Sequence, residues 1–168
     1  EKLVTRHVLD SLAAVPVLYK IHPRATLLDV GTGAGFPGIP IALALPQIRV
    51  TLVERNLRRV TFLRSVQRAL GLKLLTIVNG SVKDVELPQF DIVTCRAVAP
   101  LSRLLPDLKS VLYRGSTLAL YQGTMATVQR ELETSRNFGS VRIQSQVVPL
   151  KVPFVNAERH LVLLRGWV

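Results

Sequence analysis

The sequence contains a single cysteine, Cys95, and no long run of apolar residues. One cysteine cannot form a disulfide within the chain, which indicates a reducing compartment. A membrane-spanning helix needs about 18 consecutive apolar residues, whereas the longest run, residues 39–45, is far shorter and contains Pro40. The first residues also lack the basic-then-apolar order of a signal peptide. We therefore expect a cytoplasmic protein with no membrane partner.

Acidic and aromatic residues are scarce as well. Eleven Asp and Glu stand against 22 Lys and Arg, which leaves a net charge of +11, and aromatic residues make up only 5% of the chain. This excess indicates a polyanionic partner, nucleic acid rather than an acidic membrane surface. With few aromatics for base stacking, we expect recognition through phosphates and shape. The three histidines are far apart in sequence and no cysteine cluster exists, so no metal site is predicted.

Short apolar runs alternate with longer segments of helical spacing along the chain. A length of 168 residues with 48% hydrophobic residues predicts one domain over residues 1–168. The alternation predicts an α/β fold with a doubly wound, mostly parallel sheet. Two final strands with no helix between them predict an antiparallel C-terminal edge. The predicted strands are 27–30, 50–53, 75–78, 92–95, 117–121, 141–148 and 159–164, and the predicted helices are 4–14, 38–45, 57–70, 102–112 and 124–137.

A glycine-rich stretch follows the first predicted strand and reads Asp29-Val-Gly-Thr-Gly-Ala-Gly-Phe-Pro-Gly38. Gly31, Gly33 and Gly35 permit positive φ angles and let the backbone approach a ligand closely, because no Cβ intervenes. An acidic residue, Glu54, ends the next strand and is placed to accept hydrogen bonds from ribose hydroxyls. The pair predicts a nucleoside cofactor. A tight strand-to-helix turn without a ligand is the alternative.

The identity of that cofactor depends on two further residues. In dinucleotide enzymes the pattern is G-x-G-x-x-G, whereas Phe36 stands here where the third glycine would be. Asp29 places a carboxylate before the loop, and a carboxylate suits the cationic methionyl end of S-adenosylmethionine better than a pyrophosphate. We therefore predict S-adenosylmethionine, bound by Asp29, Gly31, Gly33, Gly35, Phe36 and Glu54.

Several longer motifs resemble one known family. They are Arg6-His-Val-Leu-Asp-Ser-Leu12, Asp29 to Pro40 with its Phe-Pro-Gly-Ile-Pro extension, Arg59-Val-Thr-Phe-Leu63, Arg96-Ala97 and Glu158-Arg-His-Leu-Val162. Together they resemble the small-subunit ribosomal RNA methyltransferase G family, also called glucose-inhibited division protein B. The His-x-x-Asp-Ser element and the Phe-Pro-Gly-Ile-Pro extension are more specific than the glycine loop. The similarity spans nearly the whole chain.

The resemblance implies a Rossmann-like class I methyltransferase that transfers a methyl group to N7 of one guanine in 16S rRNA. The expected partner is 16S rRNA or the small ribosomal subunit, with the protein a monomer. Two departures stand out. Family members carry a Lys-Gly pair after the fifth strand where this chain has Gln122-Gly123. They also have helices upstream of the His-x-x-Asp-Ser element, so we expect N-terminal helices that this sequence does not contain.

The chemistry of guanine N7 agrees with the motifs that the chain lacks. N7 has an exposed in-plane lone pair, so no proton has to be removed and alignment can carry the reaction. The Pro-Cys motif of pyrimidine-C5 enzymes and the Asn/Asp-Pro-Pro-Tyr motif of adenine-N6 enzymes are absent. Cys95 is expected to be a small apolar filler rather than a nucleophile. Arg96 follows it at the strand end, where we expect it to position guanine, phosphate or cofactor, with a surface salt bridge as the alternative.

The remaining candidate residues for binding cofactor or RNA lie elsewhere in the sequence. Val82 and Lys83, in the segment 81–84 after the third strand, are expected to meet the adenine through backbone groups. The densest basic cluster consists of Arg55, Arg58, Arg59, Arg64 and Arg68, on and just before the predicted helix 57–70. It predicts an RNA contact, and a solvated helix face is the alternative. The predicted substrate and RNA residues are His7, Asp10, Ser11, Arg55, Arg58, Arg59, Gln122, Arg159 and His160. Two other functions stay open: a methyltransferase for another substrate, and an RNA-binding module without turnover.

Overall fold

The computed structural model describes residues 4–96, 99–136 and 143–167. Its centre is one seven-stranded sheet with the strand order β3-β2-β1-β4-β5-β7-β6. The strands β1 to β5 are parallel to one another, whereas β7 is antiparallel to both β5 and β6. The strands are β1 (Thr26–Val30), β2 (Arg49–Glu54), β3 (Leu75–Asn79), β4 (Ile92–Arg96), β5 (Thr117–Gln122), β6 (Gln144–Pro149) and β7 (His160–Arg165).

This arrangement confirms the predicted doubly wound sheet with an antiparallel C-terminal edge. Each predicted strand is present, with bounds that differ by one to three residues. The predicted sixth strand began at residue 141, and residues 141 and 142 lie outside the described ones, as do Ala97 of the Arg96-Ala97 motif and residue 137 of the last predicted helix.

The central strands are buried on both faces because helices cover the sheet on each side. Side chains on one face, among them Leu27, Leu52 and Leu161, form one core cluster. Their sequence neighbours on the opposite face, such as Leu28 and Val53, form a second cluster. This explains the near-continuous apolar runs, since a parallel strand covered on both faces has no solvent side.

Four helices connect the strands. They are α3 (Gly38–Ala44), α4 (Leu57–Ala69), α5 (Leu101–Leu108) and α6 (Met125–Arg136). Helix α4 shows how the sequence sets its limits. The side chain of Asn56 caps its start by accepting hydrogen bonds from two backbone N–H groups, as asparagine commonly does. Gly71 follows its end with φ +63°, which confirms the predicted C-terminal glycine.

The N-terminal helix differs from the prediction. Instead of one helix over residues 4–14, a π-helical segment (Val4–Leu9) leads into the short α1 (Asp10–Leu12), and a separate helix, α2, covers Val15–Ile21. Pro16 explains the break, since it has no backbone N–H to donate to Leu12 and is tolerated in the first turn of a new helix. Within the described part of the chain, no helix is long and apolar enough to cross a membrane.

Candidate active site

The glycine loop lies at the carboxyl end of β1, directly before α3. Gly31, Gly33 and Gly35 have φ angles of 64°, 63° and 97°, as predicted for a loop that turns sharply after a strand. A Cβ on Gly33 would meet nothing closer than 4.0 Å, so the loop presents bare backbone there. At Gly35, in contrast, a Cβ would run into the side chain of Ile39. The backbone at Gly33 is thus open to a ligand, whereas Gly35 has to be glycine because Ile39 packs against it.

Asp29 lies beneath the loop and is fully buried. Its Oδ2 accepts hydrogen bonds from Thr32 Oγ1 at 2.6 Å and from Gly38 N at 2.9 Å, while Oδ1 accepts from Thr94 Oγ1 at 3.0 Å. Burial raises the pKa of this carboxyl to about 6, although all three hydrogen bonds favour the charged form. Direct contact between Asp29 and a cofactor was predicted. In the structure the carboxylate is hydrogen-bonded to the loop and to β4, and its contact with a cofactor stays a prediction.

Glu54 ends β2 and faces the same loop. It is only 4% exposed. Its Oε2 accepts from Gly33 N at 2.9 Å and its Oε1 accepts from Asn56 N at 2.8 Å. Each oxygen therefore makes one bond to the backbone and retains a further lone pair. The carboxylate ties the glycine loop to the start of α4 while leaving acceptor capacity at the strand end.

The segment after β3 joins this group through the backbone. Gly80 N donates to the carbonyl of Glu54 at 3.0 Å. Residues 81–85 then form a turn in which the N–H groups of Asp84 and Val85 both donate to the carbonyl of Ser81. Val82 is buried in the core, and the Lys83 side chain is exposed. The predicted cofactor residues of β1, β2 and β3 are thus neighbours at one edge of the sheet.

A cleft of about 600 Å³ opens next to them, at the ends of β4, β5 and β7. Five of the predicted site residues line it, namely Asp10, Arg96, Gln122, Arg159 and His160. Asp10 comes from α1, and the other four lie on or directly before three neighbouring strands, because β5 pairs with β4 on one side and with β7 on the other. In open α/β sheets, ligands bind in the crevice at the carboxyl ends of the parallel strands. This cleft is therefore the natural place for a substrate.

Asp10 lies at the wall of the cleft between two arginines. Its Oδ2 is 3.2 Å from Arg96 Nη2 and its Oδ1 is 2.9 Å from Arg159 Nε. Asp10 is only 5% exposed, and the two arginine side chains are 19% and 27% exposed. Arg96 therefore forms an ion pair, as the alternative interpretation expects, but the pair is partly buried rather than on the surface. One carboxylate orders two cations, which leaves the cluster net positive.

His7 and Ser11 have different surroundings. Arg96 Nη2 lies 3.1 Å from His7 Nδ1, and the His7 ring packs against Phe36 with centroids 5.3 Å apart. His7 therefore connects the glycine loop to the cleft. Ser11 is completely buried and its hydroxyl donates to the carbonyl of His7. The contact of Ser11 with RNA stays a prediction, and its buried hydroxyl is engaged within the protein.

Several residues of the cleft were not predicted from the sequence. Tyr121 lines it and donates its hydroxyl to the carbonyl of Ser11 at 3.2 Å. Glu131, on α6, lines it too and accepts from the N–H of Leu101 at 3.0 Å, so it caps the start of α5. Both contacts cross from one element to another far along the chain. No local sequence signal identifies such residues.

Cys95 also borders the cleft but is buried. Burial, with the nearby Asp29 carboxylate, raises the pKa of its thiol well above the usual range. A thiol that resists ionisation is a poor nucleophile. The structure thus agrees with the predicted role of a small filler.

The arginines on α4 lie apart from the cleft. Arg55 follows β2, Arg58 and Arg59 occupy the first turn of α4, and all three are exposed. Arg59 Nη1 lies 3.7 Å from Glu54 Oε2. Since β2 is on one side of β1 and the cleft strands are on the other, these residues form a separate surface. Among the described residues, no group of His, Cys, Asp and Glu is arranged to hold a metal ion.

The chain has the fold of the class I methyltransferases, and solved structures show the same architecture. A methyltransferase from Pyrococcus furiosus superposes with a TM-score of 0.69 at 18% identity, over 90% of this chain and 81% of that chain. The class is therefore that of S-adenosylmethionine-dependent methyltransferases.

Sequence comparison narrows the class to one family. The GidB family model, described as rRNA small subunit methyltransferase G, matches residues 1–162. The ribosomal RNA small subunit methyltransferase G of Neisseria gonorrhoeae is 37% identical over 164 residues, covering 98% of this chain and 75% of that protein. The protein of the same name from Treponema pallidum is 37% identical over 169 residues, covering 98% and 72%. The chain belongs to the rRNA small subunit methyltransferase G family, which confirms the resemblance. It is a methyltransferase of 16S rRNA.

Proposed function

We propose that this chain methylates N7 of a guanine in 16S rRNA, and that the guanine enters the cleft between Arg96 and Arg159. The observation that carries the proposal is the pair of guanidinium groups fixed by the buried Asp10 at the wall of that cleft. Guanidinium groups donate well to guanine O6 and to phosphate oxygens. One carboxylate between two cations leaves one positive charge for the substrate.

The cofactor site fits S-adenosylmethionine on the chemistry of its donors. The glycine loop offers bare backbone at Gly33, and Glu54 has acceptor capacity for ribose hydroxyls at the neighbouring strand end. The turn at residues 81–85 provides backbone groups for an adenine. S-adenosylmethionine, when bound, supplies an electrophilic methyl group on a positively charged sulfur. Asp29 contributes negative charge beneath the loop and rigidity to it.

The residues of the cleft agree with a reaction that needs no base. Guanine N7 already presents a lone pair, so the protein only has to orient the ring and exclude water. Arg96 and Arg159 would hold the nucleotide, and Tyr121 and Leu104 also line the cleft. The raised pKa of Cys95 argues against a covalent route through its thiol.

The partner and the compartment follow from the same proposal. The chain would act as a single-domain monomer in the cytoplasm, on 16S rRNA or on the small subunit that contains it. The net charge of +11 supports an anionic RNA partner.

Labelled S-adenosylmethionine tests the proposal directly. The chain is incubated with unmethylated small subunits and with naked 16S rRNA, and the RNA is digested to nucleosides. We expect label in 7-methylguanosine, and strongly reduced label with Arg96→Gln but not with Arg24→Gln, an exposed arginine before β1. Label on another base or atom would contradict the proposal. A silent protein that still binds the cofactor would favour an RNA-binding module without turnover.

A further inference from the structure

The segment 55–83 has a one-sided charge pattern. It contains no Asp or Glu in 29 residues, yet it carries five arginines and two lysines, against a net charge of +11 for the whole chain. The side chains of all seven are exposed. The arginines, here called the α4 arginines, are Arg55, Arg58, Arg59, Arg64 and Arg68. Most of the positive excess of the protein thus lies on one short stretch of the chain.

The arginines of this stretch are spread along α4, starting from the cofactor edge. Arg55 lies at the carboxyl end of β2, next to Glu54. Helix α4 then runs back along the outside of the sheet and packs on β2 and β3, with Val60 and Leu63 buried. At a rise of about 1.5 Å per residue, Arg64 and Arg68 lie roughly 10 and 16 Å along the axis from the start of the helix. The surface therefore begins at the cofactor edge and extends well beyond it.

Most of these charges are not arranged to stabilise the helix, and the exception is Arg68, which lies in the last turn, where the helix dipole favours a cation. Arg58 and Arg59 occupy the first turn, where the positive end of the helix dipole disfavours cations, and no acidic residue accompanies them. Arg64 and Arg68 are four residues apart on one face, where like charges repel. Of the α4 arginines, only Arg59 has an ion-pair partner among the described residues. An arrangement that weakens the helix by a few tenths of a kcal/mol per contact points to an external anion.

Two exposed apolar residues lie within the same surface. Leu57 is 62% exposed and Phe62 is 51% exposed. Phe62 follows Arg58 by four residues and Arg59 by three, so the ring shares a helix face with both guanidinium groups. An exposed aromatic ring beside arginines offers a base a stacking partner in addition to the phosphate contacts.

We propose that the α4 surface is a docking site for the sugar-phosphate backbone of the ribosomal RNA, outside the cleft that receives the reactive guanine. The inference rests on the proposed function for the identity of the RNA. Arginine predominates over lysine, and its planar fork matches phosphate oxygens in a bidentate way. The surface would hold the flanking RNA while the cleft holds the target nucleotide. An anionic membrane is the competing partner that the experiment has to separate.

The test uses two double variants that each remove two exposed positive charges. Arg64→Gln/Arg68→Gln alters the α4 surface far from the cofactor loop. Arg24→Gln/Arg114→Gln is the matched control, because both residues are exposed and lie outside α4, ahead of β1 and β5. For each, the Kd for an unmethylated 16S rRNA transcript is measured from 50 to 300 mM salt, together with the Kd for the cofactor and the thermal unfolding midpoint.

We expect the α4 variant to bind the transcript about tenfold more weakly at 100 mM salt, with a salt slope shallower by about 1.5 to 2. Its unfolding midpoint should change little, because the removal of a like-charge pair offsets the loss of Arg68 from the last turn of α4, and its cofactor Kd should be unchanged. The control should bind RNA nearly as the native protein does. Equal losses in both variants, or no loss in either, would overturn the proposal.

Two further measurements separate the alternatives. Binding to vesicles of phosphatidylglycerol and phosphatidylcholine tests the membrane as a partner. The proposal would also be overturned if Arg64→Gln/Arg68→Gln weakened vesicle binding and left the RNA affinity unchanged. Direct RNA binding does not require turnover. If methyl transfer to guanine N7 failed, the proposed function would fall while the comparison of the two double variants would still decide on the surface.

Discussion

The guanidinium of Arg96 donates to Nδ1 of His7 across 3.1 Å, and this contact determines which ring nitrogen of His7 carries the proton. Arginine has no acceptor, so Nδ1 has to be the acceptor and the neutral ring carries its proton on Nε2. The other contact of the ring is with Phe36 in the glycine loop. His7 thus contacts both an arginine of the cleft and a residue of the cofactor loop.

Substitutions at His7 should separate these two contacts. His7→Phe keeps a ring against Phe36 but removes the acceptor, whereas His7→Asn keeps an acceptor near the position of Nδ1 and removes the ring. We expect His7→Phe to lower kcat/KM for rRNA about tenfold, as the loss of a partly buried bond to a charged group predicts. His7→Asn should retain more of that activity. Steady-state kinetics with 16S rRNA check this, and equal activity of the two variants would contradict it.

Asp10→Asn should destabilise the protein. The substitution removes the one negative charge between Arg96 and Arg159 and leaves two partly buried cations close together. Breaking a fully buried pair costs about 3–5 kcal/mol, and the partial exposure of both arginines reduces this to about 2 kcal/mol. Urea unfolding at pH 7.5 measures the loss. Asp84→Asn, at an exposed turn, is the control that should stay within about 0.5 kcal/mol of the native protein.

The contacts of Asp10 also show why sequence predicts part of this site and not all of it. The glycine loop, Glu54 and Arg96 were predicted because each follows an apolar run, and the parallel sheet brings such strand ends to one edge. Arg159 reaches Asp10 across 149 positions of the chain, a contact that no local pattern encodes. The hydrogen bond from Thr94 on β4 to Asp29 spans 65 positions, and no local pattern encodes it either. The residue type of Asp29 predicts a carboxylate at the loop but not the groups that it binds.

Stability should depend on pH through Asp29. Burial raises its pKa from 3.8 to about 6, so the folded state holds a proton that the unfolded state has released. Stability from the protonated form is complete below about pH 4 and is lost as pH rises through about 6, a loss of about 3 kcal/mol in total. Asp29→Asn removes this loss. Urea unfolding at pH 4.5 and 7.5 should show the variant gaining stability relative to the native protein as pH rises.

Asp91 provides a control of opposite sign. Burial opposes its ionisation, but hydrogen bonds from Tyr113 and Thr26 outweigh this and lower its pKa below the usual value. Its carboxylate therefore stabilises the fold at neutral pH, and that contribution disappears as pH falls through its lowered pKa. Asp91→Asn should lose stability at pH 7.5, the reverse of Asp29→Asn. If the stability of both variants relative to the native protein changed in the same direction as pH rises, the raised pKa of Asp29 would be contradicted.

Gly38→Ala should damage the cofactor site through the carboxylate beneath it. Gly38 N donates to Asp29 Oδ2 at 2.9 Å, and an added Cβ would lie 2.8 Å from that oxygen and against the side chain of Leu52. Because Leu52 is fully buried, the clash has no easy relief, and we expect a loss of about 2–3 kcal/mol with weaker cofactor binding. Gly71→Ala is the matched control, since its Cβ would meet nothing within 4 Å and its φ of +63° alone costs about 1 kcal/mol. Calorimetry should find cofactor affinity reduced only in Gly38→Ala. Equal affinity in both variants would show that cofactor binding does not depend on the bond between Gly38 and Asp29.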